Sequence, residues 1–269
     1  MLCNLKGTLS YSNSFLFFLF RTLLTKKFLI IPGLALTFLT ACNNPKPSET
    51  SANESAVNQA KALVQEVLTK EQRDALTPDE IIQTLKEGNE RFVNNDLTAR
   101  DHSAQVRKSA NGQFPKAVVL SCLDSRVPVE DVFDRGIGDI FVGRVAGNFV
   151  NEDLLGSMEF GCKVAGAKVI LVLGHEHCGA IKSAIDDVKL GNITAMLSKI
   201  RPAVEKVTYE GDRTSGNPEF VHQVCESNVK NTIEQIRQNS PILKEMEDSG
   251  QIKIVGAVYD MATGEVTFL

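Results

Sequence analysis

The chain has 269 residues, 43% of them hydrophobic and 23% charged, a balance that builds a buried core and excludes a wholly disordered or fibrous protein. Its formal net charge is −4 at pH 7, and its 29 basic residues form no Lys/Arg-rich block and are outnumbered by 33 acidic ones. Nucleic acid is therefore not an expected partner.

In chain order, Lys26 and Lys27 ahead of the apolar run 28–41 read as the charged and hydrophobic regions of a signal segment over 1–41. About 14 residues are too few to cross roughly 30 Å of hydrocarbon comfortably, so cleavage is expected over a permanent span. Leu39-Thr40-Ala41-Cys42 resembles the lipobox of bacterial lipoproteins. That resemblance implies lipidation of Cys42, export, and anchoring at the bacterial cell envelope on its periplasmic side. A second apolar run at 15–20 lies upstream of this complete signal and reads either as sequence ahead of a translation start after Met1 or as a tandem hydrophobic segment. Without residues 1–41 the chain keeps 25 basic and 33 acidic residues, so membrane association rests on the lipid alone. Residues 42–59, polar and almost free of apolar side chains, read as a flexible tether with a reach of roughly 20–25 Å. A single domain over 60–269 follows.

Ala60, Leu63, Val64, Val67 and Leu68 fall at helical spacing and predict an amphipathic helix over 60–69. Thr77-Pro78-Asp79-Glu80 carries the signature of a helix start: a capping hydroxyl, proline at the first helical position and glutamate three residues after the cap. Ile81, Ile82, Leu85 and Phe92 line the buried face of that helix. From Phe114 onward, short apolar runs at 117–121, 140–143, 169–173 and 252–258 alternate with helical segments expected over 151–164, 178–190, 192–207, 217–238 and 241–248, with a loop at 209–216. Runs that are apolar on both faces imply parallel strands covered on each side. Thr263-Gly264-Glu265 turns the chain into a short antiparallel edge strand over 266–269. The expected fold is α/β: a mainly parallel central β-sheet flanked by helices, with an N-terminal helical extension.

In open α/β sheets, ligands gather beyond the carboxyl ends of the strands. Cys122 lies just past the first central strand, His175 just past the third, and Cys178 on the first turn of the next helix. Of the six cysteines, Cys3 and Cys42 belong to the N-terminal segment. Disulfides are the default for the other four in an exported protein. Cys162 and Cys225, however, fall on apolar helix faces and read as small buried hydrophobes, whereas Cys122 and Cys178 sit beside His and Asp and read as metal ligands. His175 and His177 compete as the imidazole ligand; the strand-end position favours His175, which leaves His177 beside the site or on the surface. His102 and His222 are assigned to solvated surface. Three protein ligands leave one position open on a tetrahedral zinc, the arrangement of a metal that does chemistry. Asp124-Ser125-Arg126 reads either as a plain turn or, next to a metal ligand, as a carboxylate held ionised by a guanidinium and able to accept a hydrogen bond from metal-bound water.

Cys122-x-Asp124-x-Arg126 followed by His175-x-x-Cys178 on a parallel α/β core resembles the β-class carbonic anhydrases. The stretches 138–148, 157–160 and 174–180 extend the resemblance, which spans about 78–269. It implies the reversible hydration of carbon dioxide to bicarbonate and a proton, with Cys122, His175 and Cys178 holding one zinc per subunit. It also implies Asp124 with Arg126 as the catalytic dyad, and dimers or tetramers in which the helices ahead of the core embrace a partner. Zinc supplies a nucleophile by lowering the pKa of bound water. Two thiolates and an ionised Asp124 put more negative charge there than three imidazoles do, so activity is expected to rise from pH 7 to about 8.5. The same ligands would also suit carbon disulfide or carbonyl sulfide hydrolysis. A non-catalytic zinc lipoprotein is the rival from a different class, and the Asp124–Arg126 pair argues against it. The chain contains no Trp, so the Trp-based regulatory bicarbonate pocket of some family members is not expected.

Overall fold

The computed structural model describes residues 62–269; the expected signal segment 1–41, the tether 42–59 and Cys42 lie outside the described residues. Residues 62–69 correct the expected helix over 60–69. Val64 donates to the Ala99 carbonyl (2.8 Å) and accepts from the Asp101 N–H (3.0 Å), forming an isolated parallel bridge with Arg100. Leu63 and Val64 are exposed there, so their helical spacing has no core to face and backbone pairing decides the conformation. Among the described residues helix begins after Thr69, whose hydroxyl accepts from Gln72 N while the Gln72 side chain takes the Thr69 N–H, a reciprocal cap on α1 (Lys70–Ala75). The same device starts α2 (Pro78–Val93), where Thr77 and Glu80 cap one another and Pro78 occupies the first turn. Ile81 and Leu85 of α2 are fully buried. A short, polar helix that the apolar pattern did not disclose, α3 (His102–Ser109), is capped by the Asp101 carboxylate.

Among the described residues five strands form one sheet: β1 (Ala117–Ser121), β2 (Ile140–Arg144), β3 (Val169–His175), β4 (Lys253–Tyr259) and β5 (Val266–Phe268), in the order β2-β1-β3-β4-β5. Every pairing is parallel except that of β4 with β5, which runs antiparallel. Alternation sends Val118, Leu120, Ile170, Val172, Ile254 and Val258 to one face, under α5 (Glu152–Glu159), α9 (Pro218–Asn239) and α10 (Pro241–Asp248). Ala117, Val119, Leu171, Leu173 and Ala257 face the other way, onto α2 and the single turn α4 (Val129–Val132). A third apolar cluster, including Ile181, Ile200, Phe220 and Val224, gathers around Cys122 and Cys178.

Two expected helices change shape. The one over 178–190 is only α6 (Gly179–Ile185), and Asp187 just beyond it takes a left-handed φ of 52°. The one over 192–207 is split into α7 (Gly191–Leu197) and α8 (Arg201–Lys206), because Pro202 has no N–H to give and is accommodated in a first turn. After α5 the chain continues through a π-helical turn, Phe160–Val164, closed by Ala165 N–H on the Phe160 carbonyl (2.9 Å).

Asp134, with a left-handed φ of 48° and no side-chain exposure, ties the α2–α3 connection to the end of α4. Its carboxylate accepts from Arg91 Nε (2.5 Å), an Arg100 guanidinium nitrogen (2.5 Å), Thr98 N (3.1 Å) and Thr98 Oγ1 (2.7 Å). Burial works to raise its pKa, but the bonds from Thr98, Arg100 and Arg91 outweigh it and hold the carboxyl well below the usual range.

Candidate metal centre

β1 ends at Ser121 and delivers Cys122; β3 ends on His175; Cys178 is the residue from which α6 starts. The three are buried, at 4%, 1% and 1% exposure, and their donor atoms all lie within 4.8 Å of one another. All four described cysteines are free. Cys122 Sγ and Cys178 Sγ stand 3.9 Å apart, far beyond a disulfide bond and close to the roughly 3.8 Å that two zinc–sulfur bonds of about 2.3 Å subtend at a tetrahedral ion. His175 Nδ1 lies 2.8 Å from the Glu176 carbonyl, which can only accept, so Nδ1 carries the hydrogen and Nε2 the lone pair. That Nε2 is buried without a hydrogen-bond partner among the described residues. A buried lone pair left unmatched beside two thiols fits a soft divalent cation.

The thiols are already differentiated. The hydrogen bond from Cys178 holds Cys122 below the ordinary thiol range against the opposing effect of burial, and the same bond raises Cys178. Cys162 has no such help, burial outweighs the backbone hydrogen bond at Cys225, and both are pushed up to about 12, the behaviour of inert, buried thiols. Of the two competing imidazoles, the structure brings His175 to the thiols; His177 is exposed, at a left-handed φ of 54°, and outside the cluster.

Asp124 and Arg126 form a fork. Arg126 Nε donates to Asp124 Oδ1 (2.9 Å), a terminal guanidinium nitrogen to Oδ2 (2.8 Å), and the Arg126 backbone N–H to Oδ1 (3.0 Å). The plain turn and the oriented carboxylate are thus the same structure. Oδ2 lies 3.8 Å from the unmatched His175 Nε2, which faces the carboxylate toward the space the three donors share. The Arg126 side chain, ahead of its backbone N–H and against the effect of burial, holds the Asp124 carboxyl well below the usual range.

Several partners of this centre escape sequence reasoning. The Gly147 N–H points at Cys122 Sγ (3.2 Å), and Arg144 donates to the Cys122 (3.1 Å) and Val127 (2.7 Å) carbonyls, fixing the loop after β1. His222 is a correction: it is half-exposed but paired, 2.5 Å from the Glu176 carboxylate and 3.4 Å from that of Glu226. Backbone donors leave no mark in side-chain identity. His222 and the polar residues that follow it on α9 interrupt an otherwise apolar face, and that interruption is the signal that was available.

Residues 117–266 match the family model described as carbonic anhydrase. Carbonic anhydrase 2 of Mycobacterium tuberculosis is 35% identical over 67% of this chain and 87% of the relative. The carbonic anhydrase of Mycolicibacterium smegmatis is also 35% identical, over 68% of this chain and 88% of its own. Among solved structures, the Coccomyxa β-carbonic anhydrase in complex with acetazolamide aligns with a TM-score of 0.56 at 26% identity, covering 71% of this chain and 85% of that one. A tetrameric β-carbonic anhydrase from Sordaria macrospora aligns at a TM-score of 0.54 and 22% identity over 71% of this chain and 97% of that one, a likeness of fold.

Proposed function

The chain belongs to the carbonic anhydrase family, in its β class, and from that premise we propose that Cys122, His175 and Cys178 hold its zinc and that Asp124 and Arg126 work beside it. The reaction is the reversible, zinc-dependent hydration of carbon dioxide to bicarbonate and a proton. The observation that carries the site assignment is the buried, unpartnered His175 Nε2 beside two free thiols, with the Asp124 carboxylate 3.8 Å away.

Zinc supplies a Lewis acid that brings the pKa of water toward neutrality. Arg126 keeps Asp124 ionised and fixes its rotamer by donating to both carboxylate oxygens. Asp124 accepts a hydrogen bond from the attacking water and so aims a lone pair at the carbon of carbon dioxide. Carbon dioxide has no leaving group to protonate, so no separate general acid is needed. Stopped-flow hydration before and after exhaustive chelation tests this reading: activity should fall to the uncatalysed rate and return with one equivalent of zinc. Full turnover from quantitatively metal-free protein would end it.

We further propose that the domain over 60–269 is carried on the tether 42–59, exported, and held at the periplasmic face of the cell envelope by lipid on Cys42. The charged-apolar-lipobox order of residues 26–42 supports this. Intact mass of protein extracted from membranes should show an acylated Cys42 as the first residue; an unmodified cysteine still preceded by Ala41 would refute it. Self-association is supported by the tetrameric Sordaria relative and by β2, an edge strand with half-buried residues throughout that shares a groove with Phe160, which is 55% exposed. Light scattering should return a multiple of the chain mass, and a single-chain mass would remove this element.

A further inference from the structure

One face of α9 touches both loops that serve the metal ligands. His222, Cys225, Asn228 and Thr232 recur at spacings of three, three and four residues, which lines them up along a helix. The first meets the Glu176 carboxylate; the Cys225 thiol donates to the His175 carbonyl (3.3 Å), Asn228 Nδ2 to the Gly147 carbonyl (2.8 Å) and the Thr232 hydroxyl to the Asn148 carbonyl (3.2 Å). Cys225, Asn228 and Thr232 are at most 2% exposed. Buried polar groups of this kind are tolerated when paired; here the donor of each bonds a backbone carbonyl, while Asn228 Oδ1 has no hydrogen-bond partner among the described residues.

The Gly147–Asn148 turn is demanding. Both residues are left-handed, with φ of 85° and 41°, and a Cβ at 147 would come within 2.4 Å of Ile200 Cδ1. Such a backbone persists only where its surroundings hold it. Two bonds from α9, four residues apart, hold its two successive carbonyls, and the Gly147 N–H is left aimed at Cys122 Sγ, 3.2 Å away.

We propose that Asn228, assisted by Thr232, is a positioning residue of the metal centre: by clamping Gly147 and Asn148 it fixes an N–H donor on the Cys122 sulfur and sets how much charge that sulfur gives the metal. A hydrogen bond to a thiolate stabilises its lone pairs and tempers its donation, the way partners behind a ligand tune the ion they never touch. Asn228 acts only through Gly147, and the inference rests on Cys122 being a ligand.

Cobalt(II) is a suitable probe, because sulfur-to-cobalt charge-transfer absorption in the near ultraviolet reads the thiolate directly. Cobalt-loaded wild type, Asn228→Ala and Thr232→Val are compared, with zinc affinity measured against a chromophoric chelator and folding checked by circular dichroism. The band should move to longer wavelength in Asn228→Ala and by less in the isosteric Thr232→Val, and, because the released turn no longer holds Cys122 pre-placed for the metal, zinc binding should weaken by about 10- to 100-fold in Asn228→Ala. Folded variants with the wild-type band position and zinc affinity would overturn the inference, whatever their activity; should Asn228→Ala fail to fold, Thr232→Val decides alone. A wild-type protein without any sulfur-to-cobalt band would instead sink the ligand assignment, and this inference with it.

Discussion

Asp124→Asn is expected to keep the fold and one zinc per chain while lowering the carbon dioxide hydration rate by about 10²- to 10⁴-fold, the usual weight of a positioned proton acceptor. The amide is nearly isosteric, so packing beside Cys122 is undisturbed. Chemically it fails twice. Its –NH₂ end faces a guanidinium that offers only donors, so the fork that fixes the carboxylate at 2.8 and 2.9 Å cannot close. Its remaining oxygen is neutral and a poorer acceptor for the attacking water. Stopped-flow rates on zinc-quantified protein are the measurement, and an unchanged rate at full zinc content would dismiss Asp124 from the reaction.

The second large effect is on stability and lies away from the metal. Asp134→Asn is expected to destabilise the fold by about 3 kcal/mol, the low end of the range for breaking a buried ion pair. Arg91, with 34% of its side chain exposed, can rehydrate, but Arg100, at 13%, is left facing an amide. Asn tolerates the left-handed backbone at this position, so the loss reports the charge. The pH dependence follows from the sign of the shift. The folded pKa of Asp134 is depressed below the ordinary 3.8, so its contribution is complete above the unfolded pKa and is lost as pH falls through the folded one. Urea denaturation should therefore show a constant gap between wild type and variant at pH 6–8, narrowing from about pH 4 downward. A gap that holds constant into acid would mean that something other than the ionised carboxylate is responsible.

The sheet was legible because strands buried on both faces are apolar nearly throughout, as 117–120 and 169–173 are, and α2 because Thr77, Pro78 and Glu80 spell a cap. The helix wrongly expected over 60–69 had apolar spacing with nothing to bury it against, and periodicity alone cannot tell whether a partner surface exists. α3 failed the opposite way: with few apolar residues, it is held by the Asp101 cap instead. At the metal centre, ligand types at strand ends were enough to single out Cys122, His175 and Cys178, since topology brings those ends to one rim. What Asp124 does with Arg126 depends on rotamers, and the spacing alone fits both a turn and a dyad. The polar break that Asn228 and Thr232 make in the apolar face of α9 was visible, but what they bind was not, because their partners are carbonyls, which every residue has.

The centre is assembled from parts far apart along the chain: Cys122 and Cys178 are separated by 56 residues, and Asn228 and Gly147 by 81. Closing such long loops costs entropy that only docked strands and helices offset. The pocket therefore comes into being late, after β1, β3 and α9 have met, and a growing polypeptide has no tight place for the ion until its last third has emerged. Metal loading is therefore expected to follow the docking of these elements and not to seed it.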